Sequence, residues 1–254
     1  MRWKGIVLPG GYAMFPIGDD NTGRTRRPWV VYGLIALNAL FFLAQLTLGD
    51  RFTYGWAATP YEITHGTDLV GSYVIHAGER AVVLEHAAGP TPIYLTLLTS
   101  MFMHGGWMHI LGNMLYLWIF GDQIEDLLGH GKFIAFYVVC GLAASFAQIA
   151  FDVDSRIPTL GASGAIAGVL GAYLIKFPRN RVRVLSRVGM MHVPALVVLG
   201  LWIVLQLVSQ VGISAGEATG VAYMAHIGGF VAGVFLIFVL APGGLPFGRR
   251  RAGV

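Results

Sequence analysis

From Trp29 to Gly49 the chain carries no charged side chain and few polar ones. A hydrocarbon core ~30 Å thick takes about 20 such residues as a helix. In lipid every backbone polar group must find a partner within the protein, so spanning segments are helices or closed barrels. Helix-length apolar runs recur at 107–121, 133–151, 163–177, 193–212 and 221–241. With 29–49 they make six segments, of which 107–121 and 163–177 are short. The apolar piece "IYLTLLTSMFM" at 93–103 is too short to span and reads as re-entrant or interfacial. A hydrophobic content of 56%, a charged content of 12% and a mean hydropathy of +0.66 leave too few polar residues for a water-soluble domain. The expected fold class is therefore an all-α polytopic membrane protein, a bundle of six transmembrane helices.

Charge placement orients that bundle. With the N-terminus inside, the inner segments hold Arg2, Lys4, Arg24, Arg26, Arg27, Lys132, Lys176, Arg179, Arg181, Arg183, Arg187 and Arg249–Arg251, against Arg51, Arg80 and Arg156 outside. Excess Lys and Arg marks the cytoplasmic side, so both termini are expected there. The same flanking pattern explains the pI of about 9.3 without nucleic acid as a partner. Three divisions follow: an N-terminal segment 1–28, a membrane domain 29–241 and a basic tail 242–254. The outer loop 50–106 is too long for a turn and is expected to hold structure, above all in 50–92. Cys140 is the only cysteine, which excludes an intrachain disulfide and a cysteine metal cluster. The first residues lack a short apolar core with a small-residue cleavage site, so no cleaved signal peptide is expected. Residues 1–13 read as an upstream extension, with Met14 an alternative start.

Polar groups inside a span are costly and mark candidate sites. "HGGWMHILGN" supplies His104, His109 and Asn113; "GASG" supplies Ser163; "AHIGGFVAG" supplies His226. At ~1.5 Å per residue, Ser163, His226 and His109 lie about 21, 22 and 18 Å above the inner ends of their segments. Three polar groups at similar depth on three spans point to one site in the outer half of the membrane. His109 and Asn113 are four apart and share a helix face. Small residues recur at Gly164 and Gly168, at Ala167 and Gly171, and at Ala225, Gly229 and Gly233. That spacing lets helix backbones approach closely. If the fourth and sixth segments pack through these faces, His226 comes within reach of the Ser163 hydroxyl. A serine nucleophile needs such an adjacent base. Ser163 opens its helix, where backbone N–H groups are free, and His109 and Asn113 add side-chain donors for an oxyanion. No acid lies at matching depth, so a dyad is expected rather than a triad.

At these residues the sequence resembles the rhomboid family of intramembrane serine proteases. "HGGWMHILGNM", "GASGAIAG" and "AHIGGFVAG" match its motifs in order, and "GDQIEDLLG" matches its GxxxE pattern through Gly121 and Glu125. The likeness extends over 29–241. It implies a six-helix fold and hydrolysis of peptide bonds in or near transmembrane segments, with single-pass membrane proteins as substrates and no metal or other cofactor. It makes Ser163 the nucleophile and His226 the general base and acid. His109, Asn113 and the Ser163 backbone N–H become the oxyanion hole. Gly161 leaves room beside it, His104 is structural, and Gly164 and Gly229 are packing positions. It also implies a bacterial inner membrane and a site opening outward. Two departures stand out. A Trp-Arg pair common in the family's first outer loop is replaced near Leu95 and Thr96. The aromatic residue often found four positions after the nucleophile, against the base, is Ala167.

The bland readings are a packing serine, a buried histidine and an interhelical hydrogen bond between His109 and Asn113. A zinc protease lacks His-Glu-x-x-His and would need His104, His109 and His226 as ligands. An aspartyl protease needs two intramembrane aspartates, and Asp122 stands alone at a span end. A transporter explains polar groups in the membrane but not their order. A catalytically inactive rhomboid-like binder is the remaining alternative. His65, His76, His86, His130 and His192 read as loop or interface residues, Glu125 as a helix-end residue, and Trp107, Trp118 and Trp202 as packing.

Overall fold

In a computed structural model, residues 6–8, 12–77, 80–186, 189–214 and 221–243 are described. Arg2, Lys4, Arg187, Arg249–Arg251 and most of the extension 1–13 lie outside them. Nine helices are described: α1 (Trp29–Leu48), α2 (Asp50–Gly55), α3 (Pro60–His65), α4 (Thr96–Thr99), α5 (Trp107–Leu128), α6 (His130–Phe151), α7 (Ser163–Lys176), α8 (Ala195–Ser214) and α9 (Tyr223–Leu240). α1, α6, α8 and α9 are long and apolar enough to cross a bilayer. Their outward faces carry Leu40, Leu43, Val208, Phe235 and Val239, all more than half exposed. So much contiguous apolar surface fits lipid rather than water. The chain is an integral membrane protein.

The chain is mostly helical, as expected, but not all-α: among the described residues six strands accompany the helices, β1 (Ile6–Leu8), β2 (Tyr12–Asp19), β3 (Gly71–Ala77), β4 (Arg80–His86), β5 (Arg181–Ser186) and β6 (Gly189–Pro194). They form an antiparallel sheet ordered β1-β2-β5-β6 at one end of the bundle and a β3–β4 hairpin beyond α1. β5 buries Val182 and Val184 and exposes Arg181 and Arg183. This period of two is strand patterning, hidden by reading the arginines only as topology markers. Region 50–106 also holds α2, α3 and the helical stretch Ile93–Phe102.

A second correction concerns 107–121, which continues as α5 to Leu128. Each acid beyond Gly121 finds a partner in the segment ahead of α1 or in the first turn of α1. Arg24 pairs with Asp122, and the Thr25 and Arg26 N–H groups donate to Asp126 at 3.1 and 2.6 Å. Glu125 is fully buried, and its two oxygens accept from the Val30 and Val31 N–H groups at 2.9 and 2.8 Å. It thereby caps the start of α1, which lacks a cap of its own. His130 bonds the same carboxylate at 2.6 Å. Gly129 alone joins α5 to α6. Its N–H donates to Glu125 O and its carbonyl accepts from Phe133, at φ 78°, where glycine is favoured.

α7 is the central helix, with every residue from Gly164 to Tyr173 buried. At 14 residues it is about 21 Å long, too short for a full crossing. It packs closely on α9 and α6. A methyl added to Gly229 would fall on the Gly164 carbonyl, and one added to Gly233 on that of Gly168. The α6 side is equally small, with Ala144 against Gly164 and Cys140 against Gly168. Without a hydrophobic effect between helices in lipid, such close backbone packing supplies much of the attraction. At the far end Lys176 Nζ donates to the Ala241 and Gly243 carbonyls at 2.6 and 2.9 Å, tying the ends of α7 and α9 together.

Candidate active site

The short α7 starts well inside the bundle, with Ser163 as its first residue. The first N–H groups of a helix have no partner within it and carry its positive dipole end. α9 passes alongside, held close by the glycine contacts. His226 lies one turn into α9, and its Nε2 is 2.7 Å from Ser163 Oγ. The two side chains singled out in the sequence therefore meet.

His109 and Asn113 stand on the first two turns of α5. The Gly105 N–H donates to His109 Nδ1 at 3.2 Å. In a neutral ring this leaves the proton on Nε2. That nitrogen faces Gly161, where an added Cβ would lie 2.9 Å from His109 Nε2 and 3.5 Å from Ser163 Oγ. Gly161 thus keeps open a small space between imidazole and hydroxyl. Its φ of 134° suits glycine alone, and its N–H is fixed by the Ser100 carbonyl at 2.9 Å. Asn113 is buried, and its amide nitrogen has no hydrogen-bond partner among the described residues. A buried donor without a partner is costly, and this one is free to serve an incoming acceptor. A cavity of about 40 Å³, lined by Ser100, Gly141, Ser145, Gln148, Gly161 and Ser163, adjoins the hydroxyl and is roomy enough for water.

His104 sits apart from the Ser163–His226 pair. Its backbone N–H donates to Gln45 Oε1 at 2.9 Å and its carbonyl accepts from Gln45 Nε2 at 3.0 Å. This pair of bonds anchors the "HGG" turn to α1, and the buried His104 ring lies 5.1 Å from that of His109. Among the described residues no three His, Cys, Asp or Glu side chains converge as metal ligands. Near Leu95 and Thr96, Leu95 is exposed while the buried Thr96 hydroxyl bonds the Ile93 carbonyl at 2.7 Å.

One neighbour of His226 escaped the sequence reading. Ala167 is buried and offers no ring, yet His226 is enclosed by aromatic side chains from elsewhere. The Trp202 ring lies 5.8 Å from the imidazole and the Tyr223 ring 6.3 Å from it. Gln206 Oε1 is 2.7 Å from His226 Nδ1. Trp202 and Gln206 are four apart on α8 and share a face. Their signal was available, since Gln206 is a polar residue within a span.

Fold and site together define a helical membrane protein with a serine and a histidine paired in its interior. The rhomboid domain model matches residues 92–243, more than half of the chain. Similar proteins include RHOMBOID-like protein 5 of Arabidopsis thaliana, 36% identical over 57% of this chain and 43% of that protein. Rhomboid protease GluP of Bacillus subtilis is 35% identical over 61% of this chain and 28% of its own length. The mitochondrial Rhomboid protein 1 of Saccharomyces cerevisiae is 32% identical over 55% and 40%. The chain thus spans less than half the length of these relatives. It belongs to the rhomboid family, which includes intramembrane proteases.

Proposed function

We propose that the chain is an intramembrane serine endopeptidase that cleaves transmembrane-segment substrates through Ser163 and His226. The observation that carries this is the 2.7 Å contact between Ser163 Oγ and His226 Nε2 at the mouth of a helix N-terminus. His226 takes the hydroxyl proton as Ser163 Oγ attacks the scissile carbonyl. The oxyanion enters the space kept open by Gly161, facing the Ser163 N–H, His109 Nε2 and Asn113 Nδ2. The C–N bond breaks as His226 returns its proton to the leaving amine. Water then attacks the acyl-enzyme by the same route, His226 again moving the proton.

In this reading α5 and the short α7, which starts below the outer surface, complete six membrane segments with α1, α6, α8 and α9. The Lys and Arg asymmetry supports a topology with both termini in the cytoplasm and the site opening to the outer face, in this reading of a bacterial inner membrane. Substrates are single-pass membrane proteins. A helical peptide bond is shielded, so segments with helix-weakening residues and a small residue at the cut are favoured. In liposomes with a model transmembrane substrate, Ser163→Ala and His226→Ala should each lower cleavage on the order of 10³-fold or more. A fluorophosphonate probe should label the wild type and not Ser163→Ala, while a metal chelator leaves the rate unchanged. Wild-type cleavage by either variant refutes the assignment.

A further inference from the structure

For His226 to receive the Ser163 proton at Nε2, its own proton has to sit on Nδ1. Within a span, where water is scarce, that N–H needs an acceptor from the protein. The sequence offers no acid at this depth, and Ala167 places no ring on α7. The acceptor is the amide oxygen of Gln206, 2.7 Å away on α8. The Trp202 ring, one turn earlier on α8, stands 5.8 Å from the imidazole and limits its rotation. We propose that Gln206 is the positioning residue of the base, an amide acceptor that completes a Ser163–His226–Gln206 relay with Trp202 as its wall. The proposal rests on the protease reading above.

The relay moves one proton only. It leaves Ser163 Oγ for His226 Nε2 and later passes to the leaving amine, while the Nδ1 proton stays in place. Gln206 gains none; its carbonyl dipole orients the ring and favours the imidazolium as it forms. An amide serves in the same third position in Cys-His-Asn proteases on another fold.

The location of Gln206 gives the arrangement a second property. The first turns of α8 are fixed: the Ala195 and Leu196 N–H groups donate to the Asn180 and Pro178 carbonyls, both at 2.9 Å, and Ala195, Val198 and Leu199 are buried. From Gly200 to Gly212 none of its residues is buried. The base is thus aligned by the loosely packed half of a helix, whereas Ser163 and His226 stand on the tightly packed pair α7 and α9. A shift of α8 stretches the Gln206 bond before it disturbs the serine.

Gln206→Met and Gln206→Glu are close in size and opposite in chemistry. Met removes the acceptor and suits a membrane interior; Glu keeps an acceptor oxygen at the cost of polarity. A positioning role predicts kcat lower on the order of 10–100-fold in Gln206→Met with KM changed less than about twofold. Gln206→Glu should recover most of that loss. A packing role predicts the reverse order, with Met at least as active as Glu, and the thermal unfolding midpoint of each variant reports that order separately. Wild-type kcat in Gln206→Met, or Gln206→Glu no better than Met, overturns the proposal. A wild type unreactive to fluorophosphonate, or a Ser163→Ala protein that still cleaves, overturns the protease reading beneath it and the proposal with it.

Discussion

A methyl group at position 229 meets the carbonyl of Gly164, whereas one at position 200 meets nothing within 4 Å. Neither difference is visible in composition, and both decide what a substitution does. Gly229→Ala should lose about 1–3 kcal/mol of stability, because backbone has to shift. It should also lower cleavage, because the α7–α9 spacing sets the distance from Ser163 to His226. Gly200→Ala should be neutral or gain up to ~1 kcal/mol from helix propensity. Thermal unfolding in detergent and the liposome assay check both. At this scale much was legible in the sequence. Ser163, His109, Asn113 and His226 stood out because polar groups interrupt apolar runs. Gln206 was passed over because it lies on α8, 20 residues from His226, and belongs to no recognisable motif. The same test for intramembrane polarity selects it, but it also selects Asn38, Gln45 and Gln148. Of these, Gln45 anchors His104, and Gln148 Oε1 accepts from the Ala225 N–H at 3.3 Å. Only geometry separates the residue beside His226 from the others.

Among the elements, helix positions were legible and the strands were not. Apolar runs located α1, α6, α7, α8 and α9 to within a few residues, because lipid demands both length and hydrophobicity. α5 overran its expected end because its acids are bonded by residues distant in sequence, from Arg24 to Val31, which a local window cannot register. β2 shows the same long-range dependence. Its last residue, Asp19, is buried and accepts from the Tyr173 hydroxyl at 2.6 Å, with the Asn180 amide at 3.4 Å. Burial pushes the Asp19 carboxyl from 3.8 up to about 6, opposed by the Tyr173 hydrogen bond. The folded state therefore binds the proton more tightly than the unfolded one. Stability should fall as pH rises from about 4 to about 6, then level off, by roughly 3 kcal/mol at ~1.4 kcal/mol per pH unit. Asp19→Asn removes the charge and keeps an acceptor for Tyr173. Its unfolding midpoint should lack this dependence and should match or exceed the wild type at pH 7. A wild-type curve that rises over pH 4–6, relative to the variant, contradicts the assignment.

For the whole molecule, the sheet joins the segment before α1 to the hairpin that leads into α8. The register pairs Phe15, Pro16, Gly18 and Asp19 with Leu185, Val184, Arg183 and Val182. All four β2 residues follow Met14, so removing residues 1–13 takes β1 away and keeps this pairing. Such a protein should retain its cleavage rate within about twofold, measured in the liposome assay. A loss on the order of tenfold or more would show that β1 supports the bundle. This joining of distant segments could not be read from local pattern, since Phe15 and its partner Leu185 lie far apart in the chain. It also imposes an order on assembly. During synthesis β2 leaves the ribosome about 170 residues before its partner β5, which at ~5–20 residues per second is roughly 10–30 s. Through that interval α1 can already enter the membrane while β2 stands as an open strand edge, a template for pairing with other chains. Damage to β5 would therefore be felt first at the opposite end of the chain, as a newborn N-terminus still waiting for its partner.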